Sequence, residues 1–99
     1  MFKISKTVED GKAVLAPEGR LDTVTAPEME KAVKEVIPEI DLLTIDLEKL
    51  DYISSAGLRV LLFAHKAMKN AGGIKVRNVN ETISEIFEVT GFSDILDIE

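Results

Sequence analysis

The chain has 99 residues, enough for one small domain, and its 45% hydrophobic and 30% charged residues are typical of a globular protein. No cysteine and a single histidine, His65, exclude disulfides, thiol catalysis and a multi-histidine metal site. A net charge of −6 without a basic patch argues against nucleic-acid binding, and no apolar run is long enough to span a membrane. Because the first residues lack the apolar core of a signal peptide, we expect a cytoplasmic protein.

The first two predicted elements are strands joined by a hairpin. The stretches "FKISKTV" and "KAVLAPEG" flank Asp10 and Gly11, two residues that tolerate the positive φ of a tight turn. Because Pro17 cannot donate a hydrogen bond to a sheet ladder, we expect the second strand to end or to lie unpaired there.

The stretch "TAPEMEKAVKEVI" predicts the first helix. Thr25 followed by Glu28 fits a capping box, and Pro27 suits the first turn, where its missing N–H costs nothing. The expected buried stripe comprises Met29, Val33 and either Val36 or Ile37.

Two further strand–helix pairs follow. The apolar "LLTIDL" predicts a strand covered on both faces, and "SAGLRVLLFAHKAMKNAGG" a second helix ended by Gly72 and Gly73. "IKVRNV" predicts a strand, "NETISEIFEVTGF" a third helix with Gly91 past its end, and "DILDI" a short strand or turn. This order predicts one α/β domain over residues 1–99, with parallel strands and the opening hairpin as an antiparallel edge.

The segment "ISSAG" at the start of the second helix is the main candidate site. On a helical wheel, Leu58 and Leu62 lie away from the core stripe and close to Ser55. The two leucines either pack under a neighbouring loop or the third helix, or form an exposed patch that binds a partner. We favour the partner-binding interpretation. The predicted core stripe comprises Gly57, Val60, Leu61, Ala64, Ala67, Met68 and Ala71.

The residues needed for catalysis are missing around Ser55. "ISSAG" matches only the second half of a G-x-S-x-G nucleophile elbow, and His65 lies about 15 Å further along the same helix. A carboxylate pair from Asp22 with Asp46 or Asp51 is conceivable, but nothing in the sequence pairs them. "NAGGIK" lacks the spacing of a phosphate-binding glycine loop. We therefore expect no enzymatic activity and no cofactor.

A phosphate on Ser55 has a physical rationale. The start of a helix carries free N–H donors and a partial positive charge, so it stabilises an anion locally. The same phosphate adds about −1.5 to −2 charge to an acidic protein, beside the surface on which a partner would dock. Phosphorylation there is expected to abolish binding without unfolding the domain.

Three segments together carry a family resemblance. "EGRLDTVTA", "DYISSAGLRVLL" and "VNETISEIFEVTGF" occur in the order and spacing of STAS domains, and the chain resembles the bacterial anti-sigma-factor antagonists among them. The resemblance implies an α/β fold with a mixed sheet of four or five strands and helices packed mainly on one face.

The resemblance also implies a function and its residues. Such an antagonist binds an anti-sigma factor that is also a serine kinase, releases a sigma factor, is inactivated by phosphorylation and is reset by a serine phosphatase. The phosphoserine position falls on Ser55, and Ser54 is a second candidate, because Ser54 and Ala56 stand where many antagonists have an aspartate and a second hydroxyl. The alternative is a ligand- or nucleotide-sensing STAS module in a stress-signalling complex. The expected partner-binding residues are Asp22, Thr25, Ser54, Ser55, Ala56, Gly57, Leu58 and Leu62.

Overall fold

The computed structural model describes all 99 residues and begins with a β-hairpin. Strands β1 (Lys3–Glu9) and β2 (Lys12–Leu21) pair antiparallel. The turn between them has φ of 50° at Asp10 and 76° at Gly11, which confirms the predicted tight turn.

The rest of the chain alternates strands and helices in one six-stranded mixed sheet. The strand order is β1-β2-β3-β5-β6, and β4 pairs separately with the end of β2. All pairs except β1–β2 are parallel, as predicted. The sheet exceeds the expected four or five strands because β4 was not recognised in the sequence. The elements are α1 (Ala26–Val36), β3 (Leu42–Asp46), β4 (Leu50–Ile53), α2 (Ser55–Ala67), β5 (Ile74–Arg77), α3 (Glu81–Thr90) and β6 (Asp97–Ile98), with 3₁₀ turns at Ile37–Glu39 and Phe92–Asp94.

Strand β2 changes its parallel partner along its length. Residues 12–15 pair with β3, and residues 19–21 pair with β4. Pro17 lies in the gap between these two ladders, opposite Ile4 of β1. Of the two predicted outcomes, β2 does not end at Pro17, but the proline does lie without a parallel partner, where no neighbouring strand needs the N–H that it lacks.

One face of the sheet carries the whole core. Alternate strand residues form buried rows across β2, β3 and β5, one of them made of Ala13, Leu43 and Ile74. The buried residues of all three helices belong to the same cluster, which confirms that the helices pack on one face. The prediction that β3 is covered on both faces is wrong, because its residues alternate between buried and half-buried.

Helix α2 ends earlier than the sequence suggests. It stops at Ala67, and the chain then turns until Gly73, whose φ of 85° confirms a glycine-dependent turn. Since Ala67 and Ala71 therefore lie at and beyond the helix end, both are exposed, and their assignment to the core stripe is wrong. The remaining members of the predicted stripe are buried.

Helix α3 is attached to β4 through its first residues. The Asn80 side chain accepts a hydrogen bond from the Ile83 N–H at 2.9 Å and donates one to the Leu50 carbonyl at 2.8 Å. Gly91 follows the helix with φ of 84°, as predicted. None of the three helices combines the length and the apolar character needed to cross a bilayer.

Candidate functional site: the serine at the start of the second helix

The ends of β2 and β4 fix the start of α2. The Ser54 N–H donates to the Leu21 carbonyl at 2.9 Å, which holds the turn between β4 and α2 against β2. Gly57 is buried in the first turn of the helix. A Cβ at Gly57 would lie 2.7 Å from the Ile53 side chain and 2.9 Å from the Leu21 oxygen. The helix therefore approaches the sheet this closely only because residue 57 has no side chain.

The two candidate serines have opposite environments. Ser54 is the N-cap of α2, but its hydroxyl makes no cap hydrogen bond and is buried without any hydrogen-bond partner. Ser55 is the first helical residue, and it is exposed. The first intrahelical bond runs from the Leu58 N–H to the Ser54 carbonyl at 2.9 Å, so the amides of the preceding residues in the first turn have no intrahelical acceptor. Ser55 thus combines access from solvent with donors that favour an anion.

The loop between β2 and α1 is held by its own side chains. Asp22 Oδ1 accepts the N–H groups of Val24 at 3.0 Å and Thr25 at 3.2 Å. Thr25 Oγ1 accepts the Asp22 N–H at 2.9 Å and donates to the Arg20 carbonyl at 2.8 Å. The capping box predicted from Thr25 and Glu28 is therefore wrong in its chemistry, because the threonine hydroxyl turns back to the loop and makes no side-chain cap bond to α1.

The same hydrogen bonds favour the ionised form of Asp22. The Thr25 N–H, with smaller contributions from the Val24 N–H, the Thr25 hydroxyl and Arg20, holds the pKa of Asp22 below its ordinary value despite some desolvation. Asp22 is thus a carboxylate at neutral pH and an acceptor for its own loop.

Leu58 does not contribute to an exposed patch beside Ser55. It is only 6% exposed and belongs to the same buried cluster as Ile83 and Phe87 of α3, while Leu62 is half-buried. The preferred interpretation is wrong for Leu58, because this leucine is packed into the core and does not form an exposed patch. The wheel misled because a helix that packs on a sheet beside other helices buries a wider arc than one stripe.

An apolar groove lies on the other side of α2, and sequence reasoning missed it. It has a volume of about 500 Å³ between α1 and α2, and Ala56, next to Ser55, forms part of its wall. Val24, in the neighbouring loop, is 85% exposed. The wheel contained the signal, because Ala56, Arg59 and Phe63 share a third flank of the helix. Other residues that line the groove are Thr23, Ala26, Pro27, Glu30, Arg59, Val60 and Phe63.

The structure brings together most of the predicted site. Asp22, Thr25, Ser54, Ser55, Ala56 and Gly57 lie where the end of β2 meets the start of α2. The conceivable carboxylate pairs do not form hydrogen-bonded dyads. Asp46 instead binds Arg77 at 3.2 Å and Asn78 at 3.0 Å. No group of three histidine, cysteine, aspartate or glutamate side chains could hold a metal ion.

Fold and site together define a small α/β domain that presents a serine hydroxyl at the start of a helix, beside an apolar groove. The protein-family model of the STAS domain matches residues 3–99, so the chain belongs to the STAS domain family. A relative from Bacillus subtilis (strain 168), named anti-sigma-B factor antagonist, is 32% identical over 81 residues, covering 81% of this chain and 74% of the relative.

Solved structures share the fold over the whole chain. The crystal structure of an anti-sigma factor antagonist from Mycobacterium paratuberculosis has a TM-score of 0.90 at 24% identity, covering 99% of this chain and 85% of that one. SpoIIAA from Bacillus, in its phosphorylated form, has a TM-score of 0.74 at 17% identity, covering 100% of this chain and 91% of that one. The predicted family and fold are thus confirmed.

Proposed function

We propose that this protein is an anti-sigma-factor antagonist controlled by phosphorylation of Ser55. Its partner is an anti-sigma factor with serine kinase activity, and a serine phosphatase restores the unphosphorylated form. The protein acts in the cytoplasm, as a binding module without an activity of its own. The observation that carries the proposal is the exposed hydroxyl of Ser55 at the first position of α2.

The difference between the two serines favours Ser55 as the phosphate acceptor. A kinase must bring the hydroxyl into line with the γ-phosphate of its nucleotide, which requires an accessible oxygen. The hydroxyl oxygen of Ser54 is buried, and the backbone N–H of Ser54 donates a hydrogen bond to the Leu21 carbonyl. Phosphorylating Ser54 would require the start of α2 to open, whereas Ser55 needs no such opening.

Because Leu58 is buried, we propose that the partner docks on the groove side of α2. Val24 and the walls of the groove offer exposed apolar area beside Ser55, and such area is typical of a protein interface. A phosphate of charge −1.5 to −2 at the edge of that surface would have to be desolvated when the partner docks. Unless basic residues meet it, that desolvation costs several kcal/mol, enough to release the partner.

The test has a phosphorylation arm and a binding arm. The protein and its Ser54→Ala and Ser55→Ala variants are incubated with the cognate anti-sigma kinase and ATP, and phosphopeptides are mapped by mass spectrometry. Phosphate on the parent and on Ser54→Ala, but not on Ser55→Ala, is expected. Phosphate on neither serine of the parent would refute the proposal.

The binding arm compares two identical charge changes by isothermal titration calorimetry. Ser55→Asp should weaken binding of the kinase at least tenfold, equivalent to about 1.4 kcal/mol. Ser5→Asp, at an exposed serine of β1, is the matched control and should leave the affinity unchanged. If nucleotides shift only the amides of residues 20–26 and 53–58 and Ser55→Asp leaves kinase affinity intact, the ligand-sensing alternative is favoured instead.

A further inference from the structure

The net negative charge of this protein comes from its last segment. Residues 78–99 contain six acidic side chains and no lysine, arginine or histidine. Residues 1–77 contain twelve acidic and twelve basic side chains, so their net charge is zero. The whole net charge of −6 therefore belongs to α3 and the segment after it.

Almost none of this charge is neutralised within the fold. Glu99 pairs with Lys75 at 3.6 Å, but none of the other five acidic side chains lies within 4.0 Å of a basic nitrogen. Glu88 stands in the last turn of α3, which holds no basic residue, so its charge opposes the negative end of the helix dipole. Glu81, in the first turn of α3, is favoured by the helix dipole, but stability of the isolated domain does not explain the position of Glu88.

Acidic residues adjoin the exposed apolar residues along the chain, because Glu85 precedes Ile86 and Glu88 precedes Val89. Val89 is 87% exposed and Ile95 is 42% exposed, whereas Ile86 is half-buried. Val89, Ile86, Glu85 and Thr90 line a shallow depression of about 250 Å³. The Thr90 hydroxyl donates to the Ile86 carbonyl at 2.7 Å, so this polar group is already satisfied by the helix backbone. We name the surface formed by these four residues and the neighbouring Glu88 the α3 face.

We propose that the α3 face is a second docking surface, which binds a cationic, amphipathic segment of another protein. The apolar depression receives aliphatic side chains of the partner, and the unpaired carboxylates meet its lysines and arginines. Such a surface repels nucleic acid and anionic lipid. Because the rest of this chain carries no net positive charge, a second copy offers no comparable electrostatic attraction. No residue of the α3 face lines the groove beside Ser55, so this proposal does not depend on the proposed function.

The experiment uses a defined probe and the full chain. The probe is a synthetic 14-residue peptide of leucine and lysine with leucines on one helical face, and the control peptide has the same composition in scrambled order. Titration of ¹⁵N-labelled protein should shift the amides of residues 83–96, with saturation that weakens at high salt. The scrambled peptide should bind at least tenfold more weakly.

Variants separate the apolar contribution from charge alone. Val89→Ser should weaken binding of the probe at least tenfold, while Val8→Ser, at an exposed valine of β1, should not change it. Ser55→Asp should also leave the affinity for the probe unchanged, so that this result is distinguishable from the test of the antagonist function. An unchanged affinity of Val89→Ser, equal binding of the scrambled peptide or shifts spread over all acidic positions would overturn the proposal. Dimerisation in analytical ultracentrifugation that Val89→Ser abolishes would also overturn it, because the occupant would then be a second copy.

Discussion

Replacing Gly57 with alanine should test how closely α2 packs on the sheet. In an exposed helix position, alanine is more favourable than glycine by about 1 kcal/mol. At residue 57, however, the new Cβ would lie 2.7 Å from the Ile53 side chain, and 2.8 and 2.9 Å from the side chain and oxygen of Leu21. Overpacking of this kind costs about 1–3 kcal/mol, and more where a backbone atom is in the way.

The overlap should outweigh the gain in helix propensity. The Leu21 oxygen cannot move away easily, because it also accepts the Ser54 N–H at 2.9 Å. We therefore expect Gly57→Ala to lower the free energy of unfolding by about 2 kcal/mol, which is roughly 10 °C in Tm for a domain of this size. The loss should be visible in urea denaturation followed by circular dichroism.

An internal reference makes the Gly57→Ala result interpretable. Arg59 is exposed inside the same helix, so the difference between Arg59→Ala and Arg59→Gly measures the propensity gain without the overlap. A Gly57→Ala protein that is as stable as the parent, or more stable by that propensity gain, would show that the space around residue 57 is not closed. The account of how Ser55 is positioned would then be refuted.

Four further changes should follow from the contacts. Ser54→Ala should leave the free energy of unfolding unchanged or raise it by up to about 1 kcal/mol, because the hydroxyl it removes has no partner; a loss of 1 kcal/mol in urea would contradict this. Leu58→Ala should lose about 2–5 kcal/mol in the same assay, since Leu58 is buried. Asn80→Ala should lose about 2 kcal/mol, because a helix cap and a bond to β4 both disappear. Desolvation raises the pKa of Asp46, but hydrogen bonds from Asn78, the Glu48 N–H and Arg77 outweigh it and lower that pKa. The ionised Asp46 therefore stabilises the fold above about pH 4, and this stabilisation is lost as the pH falls further. In thermal melts between pH 2 and 6, Asp46→Asn should make the loss of stability at low pH smaller.

Local chemistry in the sequence was sufficient for several elements. Asp10 and Gly11 favour positive φ by themselves, and the structure has the tight turn that they predict. Gly91 ends α3 in the left-handed region, and Met29 and Val33 are fully buried in the predicted stripe of α1. These features depend on residues a few positions apart, which is the range over which a sequence pattern carries direct information.

Features that depend on distant partners could not be predicted in the same way. The Thr25 hydroxyl donates to the Arg20 carbonyl and does not cap α1, because the end of β2 brings that carbonyl to 2.8 Å from the hydroxyl oxygen. Strand β4 has only four residues, and its pairing is with the end of β2, past the last residue paired with β3, about 30 positions earlier in the chain. Leu58 is buried because it joins the single core that the sheet and the helices share.

The choice between Ser54 and Ser55 shows where sequence reasoning ends and geometry begins. Adjacent serines before a helix are equivalent as chemistry, and each could cap the helix or accept a phosphate. The bond from the Ser54 N–H to the Leu21 carbonyl fixes the backbone at the turn, and the next residue, one helical step of about 100° away, then faces solvent. Gly57 allows this bond, because any side chain there would push the helix off Leu21. The exposure of Ser55, and with it the proposed switch, therefore rests on the absence of a side chain two residues further on.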